Sequence, residues 1–171
     1  MPWLNSDGLR VEFGVELGVA GKGGHYRHDG PLQCLEINGI DLTALNDDPT
    51  TLASGFAQGI LDYNNVIPTG ARIEKVEIHT VTAATSAGSA RLDIGVVDKD
   101  FASNDDDDAL VVGELYDTMP AVGTIVTYTQ GSTLHGALVG TVTTKPLYIT
   151  ASYDTAVFAT GAIDLRIYYS M

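Results

Sequence analysis

The sequence is poor in cysteine and in positive charge. Cys34 is its only cysteine, which excludes an intramolecular disulfide framework and indicates a small buried hydrophobe in a protein assembled in a reducing cytosol. Among 171 residues, 9 lysines and arginines stand against 22 aspartates and glutamates, giving a formal net charge of -13. Because such a surface repels a phosphate backbone, no nucleic-acid partner is expected.

Long hydrophobic runs are also missing. No stretch is long enough to span a bilayer, so no membrane partner is expected. The first residues lack a basic region followed by an apolar run, so no secretory signal peptide is predicted. With 44% hydrophobic residues, the chain can still bury a core, and its length fits one domain. We therefore expect a folded, acidic chain whose partners are other proteins.

Motifs for catalysis and cofactor binding are absent. No serine lies in a Gly-x-Ser-x-Gly elbow, and neither a phosphate-binding loop nor a dinucleotide fingerprint occurs. His79 and His135 are isolated and are predicted to be strand-face or turn residues. His25 and His28 lie in a glycine-rich stretch and do not reach the three or four ligands that zinc requires. We predict no enzyme, no catalytic residue, no cofactor and no metal site.

The densest acidic stretch runs from Asp98 to Asp108. Oxygen-rich loops are what calcium requires, but the EF-hand template fails here. Counting from Asp98, the sixth position is Ser103 where the template needs glycine, and the twelfth is Ala109 where it needs glutamate. The sequence favours a solvated surface loop, and calcium binding stays open.

What the chain has in abundance is alternation of apolar and polar residues. The alternation is clearest in Arg72–Val81, Ala90–Val96 and Ile163–Tyr169, and a period of two predicts strands with one buried and one wet face. A turn is predicted at 67–71, and further apolar runs lie at 110–116, 124–128, 136–142 and 147–153. Short strands without helical crossovers predict an all-β fold, an antiparallel sandwich or barrel.

Two shorter stretches call for local interpretation. Asn38 and Gly39 stand between two apolar alternations and tolerate positive φ, which predicts a two-residue hairpin. In residues 48–65, apolar side chains spaced by four favour a helix, whereas Gly55 and Gly59 weaken one. A helix and an irregular strand therefore both remain open for residues 48–65.

The first third of the chain differs from the rest. Leu9–Val19 alternates strictly, and the glycine-rich Ala20–Pro31 is too flexible to hold it near the later core. We divide the chain into an extended N-terminal arm, residues 1–33, and a β-sandwich domain, residues 34–171, clearest from residue 67. Either Leu9–Val19 joins a neighbouring chain or it adds to its own sandwich.

An arm of this kind needs a receiving surface. Ordering it costs about 1–2 kcal/mol per residue in backbone entropy, which burial of apolar side chains against a partner can offset. Addition to an exposed strand edge is the natural mode of contact. The side chains predicted to make the contact are Trp3, Leu4, Leu9, Val11, Phe13, Val15 and Leu17.

Three segments, Ile67–Ile73, Ala90–Asp98 and Ala162–Tyr169, resemble capsid decoration or cement proteins of tailed bacteriophages, of the head-decoration or head-fibre type. The resemblance covers roughly residues 67 to 171. It implies a jelly-roll-like sandwich, usually a homotrimer, that assembles in the host cytoplasm and binds the outer capsid surface of the virion. There it would lock neighbouring subunits of the major capsid protein together, and the arm would contact the capsid or an adjacent copy.

Two alternatives remain from the residues alone. The same architecture occurs in carbohydrate- or receptor-binding modules of phage fibres and adhesins, although one tryptophan and 8% aromatic residues give little material for sugar platforms. A hydrolase on a sandwich scaffold is the third reading, retained only because acidic residues are abundant.

Overall fold

The computed structural model of the protein describes residues 32–47, 59–100 and 106–171, together with the backbone of short strands at 3–4, 10–11 and 27–29. Strands make up nearly all of the regular secondary structure in this part of the chain, which also has a 3-10 turn at Leu42–Ala44. Its strands are β1 (Trp3–Leu4), β2 (Arg10–Val11), β3 (Arg27–Asp29), β4 (Leu32–Asp41), β5 (Asn46–Asp47), β6 (Val66–Ile67), β7 (Arg72–Ser86), β8 (Arg91–Asp98), β9 (Asp106–Leu115), β10 (Ile125–Thr129), β11 (Leu147–Asp154) and β12 (Phe158–Ser170).

Two sheets face each other. Sheet I has the order β10-β7-β12-β4-β3, and sheet II has the order β5-β11-β8-β9, with β6 also paired to β11. All pairs are antiparallel except the short contact of β5 with β11. The chain crosses between the sheets at most of its connections, and the strand orders β10-β7-β12-β4 and β6-β11-β8-β9 are those of a jelly roll. The predicted all-β, jelly-roll-like sandwich is confirmed.

In sheet I the predicted alternation of buried and wet positions is confirmed. Along β12, alternate side chains face the core and those between them are partly exposed. On β7, Val76, Ile78 and Thr80 are buried together on one face, as predicted. The inward-facing side chains of β12 are Ile163, Leu165, Ile167 and Tyr169.

In sheet II the prediction of a wet face on Ala90–Val96 is wrong. Every residue of β8 from Leu92 to Asp98 is buried, and so is β11 from Leu147 to Ser152. The outer face is covered because Ile60 and Val66 pack against Val97 and Tyr148. A strand covered on both faces has no reason to be polar at alternate positions, as the Ile94-Gly-Val-Val97 run shows.

The strand expected from the apolar run Gly136–Val142 is also wrong, since this stretch consists of turns with isolated bridges at His135 and Val142. This connection nevertheless bonds to both sheets. The amide of Gly136 donates to the carbonyl oxygen of Leu110 at 3.0 Å, and the amide of Ile73 donates to the carbonyl oxygen of Thr141 at 3.0 Å. It therefore covers the edge of β9 and the start of β7, which protects one side of the sandwich from further strand pairing.

The predicted hairpin at Asn38–Gly39 is wrong, because β4 runs without reversal from Leu32 to Asp41. Its register against β12 shifts there, so that Asn38 and Gly39 together face Asp164. Gly39 has the positive φ, 67°, that the pattern predicted. The positive φ of Gly39 belongs to a β-bulge and not to a hairpin turn. Both halves of β4 pair with β12, and this pairing outweighs the local preference of Asn38 and Gly39 for a turn.

The turn at 67–71 is confirmed, with Gly70 at φ 84° and the amide of Ala71 donating to the carbonyl oxygen of Pro68 at 3.3 Å. Residues 48–58 lie outside the described part of the chain, so the choice between helix and strand stays open there. After them, Ile60 forms an isolated bridge with Thr150, and Asp62 accepts from the amide of Asn64 at 2.8 Å in a tight turn.

Candidate functional site

The predicted contact residues of the arm fall almost wholly outside the described part of the chain. Trp3 and Leu4 pair through their backbones with Val11 and Arg10 in a separate two-stranded sheet. Leu9, Phe13, Val15 and Leu17 are not among the described residues. β3 pairs with Leu32–Cys34 at the edge of sheet I. The division into arm and domain and the contact role of these side chains stay predictions.

The acidic stretch begins inside the protein, which corrects the prediction of a solvated loop for Asp98. The side chain of Asp98 is 0% exposed, and its Oδ2 lies 2.5 Å from Nζ of Lys145. The hydrogen bond from this ammonium group lowers the pKa of Asp98. A buried carboxylate is tolerated when it is paired and hydrogen-bonded. The ion pair therefore joins the end of β8 to the residues just before β11.

The far end of the acidic stretch forms a carboxylate cluster. Asp106, Asp107 and Asp108 open β9, and their carboxylates offer oxygen atoms within 4.8 Å of one another. Burial, followed by the hydrogen bond and the charge of Asp106, raises the pKa of Asp108. Oxygen ligands at such spacing suit a hard cation, although exposed acidic groups also gather without one. Residues 101–105 between the two ends are outside the description.

A second buried carboxylate ties the two sheets together. Glu114 on β9 accepts from the hydroxyl of Tyr128 on β10 at 2.8 Å and from the hydroxyl of Thr118 at 3.1 Å. Burial, then the bond to Glu114, raises the pKa of Tyr128 above its usual range. Asp93 on β8 likewise accepts from the amide of Gly113 at 2.6 Å. These acids are engaged in holding the fold.

The outer face of sheet I carries a half-buried polar network. Arg166 lies 2.9 Å from Glu36 through Nη2, and that hydrogen bond raises the pKa of the guanidinium. Lys75 bonds Glu77 at 2.6 Å and stands 4.1 Å from the ring centre of Tyr168. Burial, then the nearby Cys34 and Glu77, raises the pKa of Tyr168 to about 12.

The lone thiol belongs to the same face. Cys34 lies opposite Tyr168 in the β4–β12 register and is partly buried, so the prediction of a buried hydrophobe is only partly met. Burial raises the pKa of its thiol above the usual value. A raised pKa keeps the sulfur protonated at neutral pH, which makes it a poor nucleophile.

The isolated histidines take strand-face and turn positions, as predicted. His79 on β7 places Nδ1 3.3 Å from Oδ2 of Asp164 on β12, whose other oxygen accepts from the amide of Gly39 at 2.8 Å. His135 bonds the carbonyl oxygen of Ser132 at 2.5 Å within a turn. The side chains of His25 and His28 are not described.

A groove of about 850 Å³ lies beside β4, lined by residues 36–41, 44–46, 59–62, 64 and 65 and by Ala151. Two of its three carboxylates, those of Asp41 and Asp62, are bonded within their own turns, and that of Glu36 pairs with Arg166. Asp62 accepts from the side-chain amides of Asn64 at 3.1 Å and Asn65 at 2.7 Å, and Asp41 accepts from Thr43 through its hydroxyl at 2.8 Å and its amide at 2.9 Å. The walls carry Glu36, Asp41 and Asp62 but no lysine or arginine among the residues that line the groove.

The opposite edge of sheet I is apolar, a feature that the sequence interpretation missed. Among the described residues, β10 pairs only with β7. Three exposed hydrophobic side chains lie on β10 or next to it: Val81 at 42%, Ile125 at 49% and Val122 at 57% exposure. Ile125 faces His79 in the register, and the amide of Gly123 donates to the carbonyl oxygen of Thr80 at 2.9 Å.

These contacts make Val81, Val122 and Ile125 near neighbours, and we call the group the β10 patch. A signal for it was present in the sequence. In Ile125–Tyr128 the first two residues are both apolar, which places one hydrophobic side chain on each face of the strand.

Within the described residues, no helix is both long and apolar enough to cross a membrane. Comparison with known proteins returns no matching family model and no matching curated protein. Solved structures do contain similar chains. One belongs to the acidic stable capsid structure of Helicobacter pylori bacteriophage KHP30, with 14% identity, a TM-score of 0.49, and coverage of 87% of this chain and 94% of that one.

A second similar chain comes from the capsid of Ralstonia phage GP4, with 17% identity, a TM-score of 0.44 and 92% of each chain covered. A third is from the cyanophage Pam1 capsid asymmetric unit, with 17% identity, a TM-score of 0.41, and coverage of 100% of this chain and 99% of that one. At these scores the likeness by itself assigns no role to this chain.

Proposed function

We propose that this chain is a non-enzymatic structural protein of a bacteriophage virion. In this role it binds the outer surface of an icosahedral capsid, bridges neighbouring subunits of the major capsid protein and forms a homo-oligomer. The proposal extends the resemblance in Ile67–Ile73, Ala90–Asp98 and Ala162–Tyr169, and it places the chain in the same kind of particle as the three chains above.

The observation that carries the proposal is how the jelly roll uses its buried acids. Asp98 pairs with Lys145, Glu114 joins β9 to β10 through Tyr128, and Asp93 holds an amide of β9. A general acid or base must reach a substrate, whereas these groups are occupied in the interior. Their bonds support a stiff platform that presents its faces and edges to protein partners.

The charge of the chain suits such a platform. With 22 acidic and 9 basic residues, the chain has a formal net charge of -13. This charge keeps the free protein soluble before assembly. The arm then supplies apolar side chains for contact with the capsid or with an adjacent copy, as the sequence predicts. A shell protein of this kind needs neither a cofactor nor nucleic acid.

The carbohydrate-binding alternative has weaker support. The groove beside β4 is the natural place for a sugar, but Asp62 and Asp41 are bonded within their own turns. No aromatic side chain is among the described residues that line the groove, and the neighbouring Tyr63 meets Tyr148 edge to face, with ring centres 5.4 Å apart. Sugar sites rely on convergent polar groups and open aromatic faces, and the groove offers few of either.

Co-sedimentation with capsids tests the proposal. Capsids of the encoding phage, prepared without this chain, are expected to bind it saturably, and electron microscopy is expected to show its density on the outer surface. A glycan array run in parallel is expected to give no hits. Absence of saturable capsid binding together with specific glycan binding would favour the carbohydrate-binding module instead.

A further inference from the structure

Sheet I places the root of the arm and the β10 patch at opposite edges. The strand order β10-β7-β12-β4-β3 puts β3, where the chain leaves the arm, at one edge and β10 at the other. Strands lie about 4.8 Å apart, so the two edges are about 19 Å apart across the sheet. One edge can thus give a strand while the other receives one.

The β10 edge is suited to receive an apolar strand. Ile125–Thr129 contains no charged residue, no strand pairs with its outer side in the described chain, and the β10 patch adjoins it. Exposed strand edges bind extended segments through main-chain hydrogen bonds, with alternate side chains providing specificity. An incoming strand with apolar residues at every second position would continue the patch.

The other open edge of sheet I is a poorer match. Beyond Cys34, β4 has no described partner on its outer side, but this stretch borders the groove with Glu36, Asp41 and Asp62. A segment carrying Glu12 and Glu16 would meet like charge there, which is unfavourable. Charge and apolar surface therefore both favour β10.

The segment that matches the β10 edge is Leu9–Val19, whose odd-numbered positions are all apolar. Seven residues, 20–26, separate it from β3, and a fully extended connector of that length spans at most about 25 Å. To reach its own β10, the segment would have to cross the outer face of sheet I over the ion pairs of Arg166 and Lys75. The β10 edge of a copy lying beside β3 can be reached without that crossing.

We propose that β10 receives Leu9–Val19 of a neighbouring copy as an added strand, so that each copy gives its arm at one edge and takes an arm at the other. Such a head-to-tail contact closes into a ring when the rotation between copies allows it. Pairing of Arg10–Val11 with Trp3–Leu4 is compatible, because a strand has two edges. The inference rests on the proposed function only in assigning the arm to a contact between chains.

Disulfide trapping in the full chain tests the inference. In a Cys34→Ser background, Thr127→Cys on β10 is combined in turn with Val11→Cys, Phe13→Cys or Val15→Cys. Directly opposed strand residues lie within disulfide reach, so at least one combination is expected to give dimers and higher species on a non-reducing gel. The matched control replaces Thr127→Cys with Asn38→Cys on the β4 edge, which is expected to stay uncross-linked.

A charge on the patch provides a second measurement. Ile125→Lys is expected to weaken self-association at least tenfold by sedimentation velocity. Val157→Lys changes a valine that is at least as exposed as Ile125 and lies before β12, outside the β10 patch, and it is expected to leave association unchanged. Both variants are expected to have the same Tm as the wild type, because neither side chain is in the core.

Several outcomes would overturn the inference. They are cross-links that migrate only as monomer, cross-links only with the Asn38→Cys control, no cross-link from any position, and a wild-type protein that stays monomeric at the assay concentration. Capsid co-sedimentation of the same variants separates this inference from the proposed function. Capsid binding with no trapped β10 contact overturns only the strand exchange, whereas trapped oligomers that never bind capsids overturn only the capsid role.

Discussion

Asp98 and Lys145 form an ion pair with very unequal exposure. The carboxylate is fully buried, while the lysine side chain is 37% exposed. The bond to Lys145 holds the pKa of Asp98 below its usual value. A lowered folded-state pKa stabilises the protein above the unfolded-state value near 4, and that contribution is lost as the pH falls through the folded-state value.

Replacing Lys145 with methionine leaves this carboxylate buried without its cation. We expect Lys145→Met to lower the free energy of unfolding at pH 7 by about 1–3 kcal/mol, measured by urea denaturation. The difference from the wild type is expected to shrink below pH 4. Lys99→Met alters an exposed neighbouring lysine and serves as the control. Equal losses in both variants would show that the pair contributes nothing specific.

Asp108 shifts in the opposite direction. Its pKa is raised by burial and by Asp106, so the folded state holds the charged form less favourably than the unfolded state does, and stability is lost as the pH rises through the folded-state value. We expect Asp108→Asn to raise Tm at pH 7 in the presence of a chelator and to have no such effect at pH 3. A lower Tm at pH 7 would contradict this account of the cluster.

Calcium provides an independent measurement on the same three aspartates. A ligand that binds the folded state raises stability with its concentration. Unchanged melting of the wild type between calcium and chelator is the expected outcome, in keeping with the prediction of no metal site. A calcium-dependent rise that disappears in Asp108→Asn would instead establish a cation site.

At the scale of elements, the β8–β9 pair depends on one glycine. Ile94 faces Val111 and Val96 faces Asp106, so Gly95 alone spans the bulge formed by residues 107–110. A Cβ atom at Gly95 would overlap the backbone of Asp106 and Asp107. Bulges that bring two backbones so close accept only glycine.

Gly95→Ala is therefore expected to lower the free energy of unfolding by about 3 kcal/mol or more, since the backbone of β9 must move. Gly39→Asn is the matched control, because Gly39 lies in a bulge with nothing within 4 Å of an added Cβ and asparagine tolerates positive φ. Urea denaturation of the soluble variants measures both changes. A well-folded Gly95→Ala variant of wild-type stability would show that β9 can shift freely.

The elements that could be predicted from sequence are those whose pattern is local. β7 and β12 alternate because one face of sheet I packs on the core, and the turn at 67–71 follows from proline and glycine. The bulge at Gly39 could not be read in this way, because it depends on pairing with β12, more than 100 positions later. The buried Asp98 was missed for the same reason, since its partner Lys145 lies 47 positions away.

The candidate interaction surface also has one part that follows from a local sequence pattern and one part that depends on long-range strand pairing. The alternation in Leu9–Val19 is visible in the sequence, and the arm stays a prediction that rests on this pattern. The β10 patch joins Val81 on one strand to Val122 and Ile125 around another, and only the register of β7 against β10 brings them together. Patterns along the chain find strands, whereas surfaces built across strands require the pairing to be known.

At the scale of the whole molecule, deleting residues 2–20 separates the arm from the sandwich. We expect the shortened protein to keep its Tm, because β1 and β2 form a sheet separate from sheets I and II. Its occupancy on capsids, measured by co-sedimentation, is expected to be lost. If the shortened protein itself unfolds, Leu9–Val19 belongs to its own sandwich and the predicted clamp is wrong.

The central position of β12 also bears on how the protein is made. β12 lies between β7 and β4, and Arg166 bonds Glu36 across 130 positions. During translation, β4 leaves the ribosome long before its neighbour β12 exists, and sheet I cannot close until residues 158–170 have been synthesised. Contacts so distant in sequence slow folding, and the waiting strands are open to mispairing on the nascent chain. The chain must therefore be fully synthesised before sheet I can present a finished surface to any partner.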